Sequence, residues 1–155
     1  MNLEQQLATI INDAANYGVP TIVVERAIAP VLKLFAIQLQ HREYYILQNL
    51  AEEWVLTTIS NRQLDPTEEK KVIYAFVSVR DAANFQGKNN PEIIAVPIPI
   101  IELLFKLFSL QQVDSIIFLE DSFNLNRGVE VKRELLLQEI TRQLQQFSQT
   151  PPDIA

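Results

Sequence analysis

Cysteine is absent from this chain, histidine and tryptophan occur once each, and glycine occurs three times in 155 residues. Without cysteine there is no disulfide, no thiolate nucleophile and no thiolate metal site. One histidine, His41, excludes three-histidine metal centres and two-histidine motifs within a single chain, and any Ser/His pair would have to use it. His41 lies in LQHREY, between a helical pattern and a strand pattern, where pairing with the last helix carbonyls is its plainer use. Gly18, Gly87 and Gly128 are too far apart for GxGxxG, a phosphate loop or GxSxG. Gly87-Lys88-Asn89 lacks the upstream glycine and the hydroxyl of a Walker motif and reads as a turn. Long charge-free apolar runs are missing too. The window from Pro20 to Leu39 is broken by Glu25, Arg26 and Lys33, and that from Ile93 to Leu110 by Pro97, Pro99, Glu102 and Lys106. A bilayer span needs about 20 apolar residues with few charges, so no membrane span is expected. The opening MNLEQQLATIIND lacks the basic and then apolar order of a secretion signal, which predicts a cytoplasmic protein. Basic residues are outnumbered 13 to 19, and a net charge of −6 makes phosphate backbones and anionic lipid unfavourable partners.

What is present is an ordinary globular balance, 48% hydrophobic and 21% charged, in a chain of one-domain size. Leu3, Leu7, Ile10, Ile11 and Ala14 share one helical face, predicting a first helix that ends before Tyr17-Gly18. Pro20 suits the start of a second, in which Glu25, Arg26, Lys33 and Gln40 form a narrow polar stripe on an otherwise apolar surface, and Pro30 should kink or divide it. Runs rich in β-branched and aromatic residues then predict strands at YYIL (44–47), WVLTTI (54–59), VIYAFV (72–77), IIAV (93–96) and SIIFLE (115–120). The polar link SNRQLDPTEEKK reads as an exposed hairpin loop, with the charge run Glu68 to Lys71 at its tip. Short helices are expected after Ser78 and from Pro99 to about Leu110, and a closing helix from about Val129 to Phe147. Strands three to five lack clean alternation, as in a sheet covered on both faces. The expectation is an α+β (mixed α/β) fold: a five-stranded mixed sheet with flanking helices, preceded by two apolar helices. Residues 1–42 form that helical pair, packed on the domain or on a second subunit, 43–147 the core, and 148–155 a loose tail.

Within VIYAFVSVRDAANF a strand hands over to a helix. Ser78 and Asp81 fit a helix cap in which the hydroxyl accepts a backbone N–H and the acid reaches back, leaving Arg80 without a structural reason. Open α/β sheets bind ligands beyond the carboxyl ends of their strands, here Ser78 to Asp81, Pro97 to Pro99 and Glu120 to Arg127. Arg80, Asp81, Glu120, Asp121 and Arg127 are therefore the candidate binding residues. Asp121, Asn124, Asn126 and Gly128 invite comparison with a calcium loop, but a ligand position then falls on Phe123 and the glycine position on Asn126, so the spacing fails. No metal, cofactor or catalytic residue is expected. Trp54, after Glu52-Glu53, suits core packing before an interface anchor.

The succession WVLTTIS, VIYAFVSVRDAANF, IIAVPIPIIELL and VDSIIFLED followed by a helix resembles the SseB N-terminal domain family across about half the chain. More distantly it is similar to a soluble Tic translocon component of chloroplasts. The resemblance implies a compact α/β module with no established enzymatic activity. Residues 1 to 42 depart from it. The expected function is a noncatalytic binding or assembly module, self-associating as a homodimer through the N-terminal helices or taking a protein partner. The alternatives are a small-molecule or acid/base site at the strand ends, using Asp81, Glu120 or Asp121, and an accessory chaperone or translocation factor.

Overall fold

The computed structural model describes residues 2–60, 69–86, 90–121 and 127–149. Helix α1 (Leu3–Asn12) opens on a reciprocal cap: the Asn2 side chain accepts from the Gln5 backbone, and Gln5 returns the bond to the Asn2 N–H. A 3₁₀ turn at Ala14–Tyr17 ends at Gly18, whose φ of 72° is the left-handed conformation that favours glycine. Pro30 does not cut the second helix in two; the winding changes ahead of it instead. Helix α2 (Thr21–Val23) passes into a π-helical segment, Val24–Ile28, and then into α3 (Ala29–Ala36) with Pro30 in its first turn. The widened turn lies where a proline ring would meet the preceding carbonyls of a regular α-helix, so the chain stays helical through Pro30 without an interior break.

Six strands form one mixed sheet. They are β1 (Glu43–Asn49), β2 (Thr57–Ser60), β3 (Glu69–Phe76), β4 (Ile93–Pro99), β5 (Ser115–Leu119) and β6 (Gly128–Lys132). The order is β4-β1-β3-β5-β6, with β2 paired to the first half of β3; β3 and β5 run parallel and the other pairs are antiparallel. A bend at residues 49–53, with Glu52 at a φ of 63°, turns β1 towards β2 and leaves Trp54 as a single bridge to Gln48. The predicted second strand is therefore only Thr57–Ser60. Strand β6 corrects the expected start of the last helix: residues 128–132 are extended, and α6 (Arg133–Gln149) begins four residues after Val129 and runs two past Phe147. Glu69, Lys70 and Lys71 are not a loop tip, for they belong to β3. Glu68, the rest of that loop and residues 150–155 of the expected tail lie outside the described residues.

One face of the sheet carries α1, α3, α5 (Ile100–Ser109) and α6. Leu7, Ile10, Val24, Ile28 and Leu32 from the N-terminal helices share a core with Ile46, Ile73, Leu103, Phe118 and Ile140. The N-terminal helices thus bury their inner faces within the chain. Gln6 fastens them. Proline at the N-cap of α5 offers no capping side chain, and buried Gln6 supplies the missing acceptor: its Oε1 takes the Ile101 N–H at 3.0 Å, while its Nε2 donates to the Arg42 carbonyl at 3.0 Å. Glu4 and Lys33 add an ion pair between α1 and α3 at 2.8 Å. Among the described residues, the opposite face is covered by α4 (Val79–Gln86), over Leu47, Phe76, Leu119 and Tyr74.

Candidate functional site

Parallel β3 and β5 end at the same edge of the sheet, and β1 and β6, antiparallel to them, begin there. This brings Tyr44 and the α3–β1 connection beside Glu120. Tyr44 is fully buried, its ring edge-on to Phe118 at 5.0 Å and to His41 at 5.5 Å. The tyrosine hydroxyl donates to Glu120 Oε2 at 3.1 Å and accepts the His41 N–H at 3.4 Å; Gln40 N–H reaches the same carboxylate oxygen at 3.4 Å. Burial, reinforced by the Glu120 charge, raises the Tyr44 pKa well above its usual 10.0, so the hydroxyl keeps its proton and remains a donor. Glu120 Oε1 is buried and finds no hydrogen-bond partner among the described residues.

A cleft of about 600 Å³ opens beside this pair, lined by Gln40, Glu120, Asp121, Arg127, Gly128 and Val129. Asp121 and Arg127 bridge it at 3.0 Å, and both side chains are largely exposed. Such a pair contributes roughly 0 to 1 kcal/mol. The arrangement fixes one oxygen of the Glu120 carboxylate with two donors and keeps the other buried, while the exposed Asp121–Arg127 pair offers a polar ligand one charge of each sign.

Three of the sequence-predicted residues, Glu120, Asp121 and Arg127, therefore meet in one cleft. Arg80 and Asp81 do not line it, because α4 carries them towards the opposite face. Ser78 caps α4 as expected, its Oγ accepting the Asp81 N–H at 3.1 Å, but Asp81 does not return the bond, and its Oδ1 is buried without a partner. His41 packs its ring on Tyr44 and lies beyond the end of α3. Trp54 is half-buried against the core, with Lys106 Nζ over its ring at 5.3 Å. The calcium-loop positions 122–126 lie outside the described residues; among the described residues, no group of three acidic or histidine side chains is placed to hold a metal. Tyr44 and the Gln40 backbone are the site members that the sequence did not disclose. A buried tyrosine at a strand start, whose hydroxyl must find a partner, was the available signal.

The architecture is an α+β class built on a mixed sheet, and no helix among the described residues is long and apolar enough to cross a membrane. A scan against protein-family models finds no match, and no curated protein matches the chain.

Proposed function

We propose that this protein is a noncatalytic cytoplasmic assembly module that self-associates through the outer surface of its N-terminal helices. The observation that carries the reading is an apolar stripe left after cis packing is complete. Ile22, Leu34 and Ile37 remain 46%, 56% and 54% exposed, and Pro30 is exposed between them. The π-helical turn supports their alignment: its extra residue per turn brings positions beyond Ile28 back towards the direction of Ile22. The neighbouring cations are engaged within the chain, Lys33 with Glu4 and Arg26 over the Phe147 ring at 5.7 Å, which leaves the stripe predominantly apolar. A surface of this kind is complementary to itself across a two-fold axis. Kinship with the SseB N-terminal domain family, and an accessory chaperone or translocation role, belong to this proposal through the sequence patterns alone. Leu34→Asp with Ile37→Asp should shift light-scattering mass to smaller species while leaving the circular dichroism spectrum unchanged; a wild-type chain that is monomeric throughout would sink the reading.

A second reading is favoured by the meeting of Glu120, Asp121 and Arg127 in one cleft: a small polar ligand held between Gln40, Glu120 and Arg127. It predicts a thermal shift with at least one member of a metabolite panel, lost in Glu120→Gln, and an unresponsive panel rejects it.

A further inference from the structure

The two edges of the sheet differ in what they offer to another strand. On β4, the Ile100 N–H bonds to the Arg42 carbonyl, so even-numbered residues of β4 face β1 and odd-numbered ones face outward. Those outward positions are Ile93, Ala95, Pro97 and Pro99. Two are prolines without an N–H, and the Ile93 N–H is already given to the Asn90 carbonyl, which leaves Ala95 as the only outward donor of β4. Strand addition is closed there.

On β6 the opposite holds. Glu120 N–H bonds to the Arg127 carbonyl and Arg133 N–H to the Asp114 carbonyl, and the register between them is unbroken. Odd-numbered residues of β6 therefore face β5, and Gly128, Glu130 and Lys132 turn their N–H and C=O groups outward. Among the described residues no strand pairs with them, and none of the three is a proline.

We infer that the β6 edge pairs antiparallel with β6 of a second copy, in the register centred on Val131. That register sets Glu130 opposite Lys132 of the second copy and Lys132 opposite its Glu130, both as hydrogen-bonded pairs. The register centred on Glu130 would instead face this carboxylate with its twin, and like charges directly opposite oppose pairing. Ser115 Oγ, at 2.7 Å, and Lys70 both engage Glu130 Oε2, which fixes this side chain on the sheet face it shares with Lys132 two residues on. The pairing continues the sheet from one copy into the next, and it is a second two-fold surface, distinct from the helical stripe and independent of it.

Lys132→Pro tests the inference, because the N–H it removes points outward and makes no bond among the described residues, in the position that Pro97 and Pro99 hold on β4. In the Leu34→Asp, Ile37→Asp background, where the helical surface is disabled, sedimentation should show a dimer that Lys132→Pro converts to monomer. Lys132→Glu, which leaves the backbone intact and sets two acids face to face, should weaken that dimer at least tenfold, and Lys132→Arg should not. A monomer in the background chain at millimolar concentration overturns the inference, as does a dimer indifferent to both Lys132→Pro and Lys132→Glu. Failure of the helical reading shows separately, as a wild-type mass that Leu34→Asp and Ile37→Asp leave unchanged.

Discussion

Tyr44 joins the core to the strand-end cleft, since its ring packs on Phe118 while its hydroxyl serves Glu120. Tyr44→Phe keeps the ring and removes the donor, leaving Glu120 Oε2 with the longer bond from Gln40. A hydrogen bond to a charged group is worth about 1.5 to 3 kcal/mol, so the loss expected in chemical denaturation is about 2 kcal/mol. The same residue sets an alkaline limit. Its folded-state pKa is raised above the unfolded 10.0, so the folded protein holds this proton more tightly than the unfolded chain does. The stability gained in this way is complete below pH 10 and falls as pH rises beyond it. Denaturation midpoints measured across that range should decline in the wild type and decline less in Tyr44→Phe; equal slopes would separate Tyr44 from the effect.

At the scale of elements, α5 depends on α1 for its first turn. Gln6→Leu removes both bonds and leaves the Ile101 N–H unpartnered, while the Arg42 carbonyl keeps the Ile100 N–H, at a cost of about 1 to 3 kcal/mol for a buried polar group. The expected result is a lower denaturant midpoint with an unchanged slope, and a neutral substitution would show that Gln6 is not the cap. Such long-range dependence marks the boundary of what the sequence makes legible. Helices α1 and α5 and strands β1, β3 and β5 are written in local periodicity, and Pro30 marks the change of winding in the second helix. Strand β6 is not, because five residues of GVEVK run into α6 without an intervening turn and fit either period. Trp54 to Leu56 carry strand composition, yet the bend at residues 49–53 leaves only one bridge there. The cleft is half legible. Glu120, Asp121 and Arg127 follow from the rule for strand ends, whereas Tyr44 and Gln40 reach Glu120 across 76 and 80 residues of sequence.

The whole molecule is asymmetric in how it is covered. Among the described residues, α1, α3, α5 and α6 bury one face of the sheet, and the short α4 lies on the other. The N-terminal helices complete the core from inside and still present Ile22, Leu34 and Ile37 outward. The segment from Thr21 to Ala36 is apolar over most of its circumference, where a helix packed on one face alone would show a broad polar face, and the proposed self-association would use that second side. Among the described residues the β6 edge is unpaired and the β4 edge is closed by prolines, so the strand pairing inferred above would be confined to one side of the sheet. Sedimentation equilibrium over a wide concentration range tests the central claim of self-association most directly. The expected result is concentration-dependent growth above the monomer mass, reduced by Leu34→Asp with Ile37→Asp; a single monomeric species at every concentration would overturn self-association.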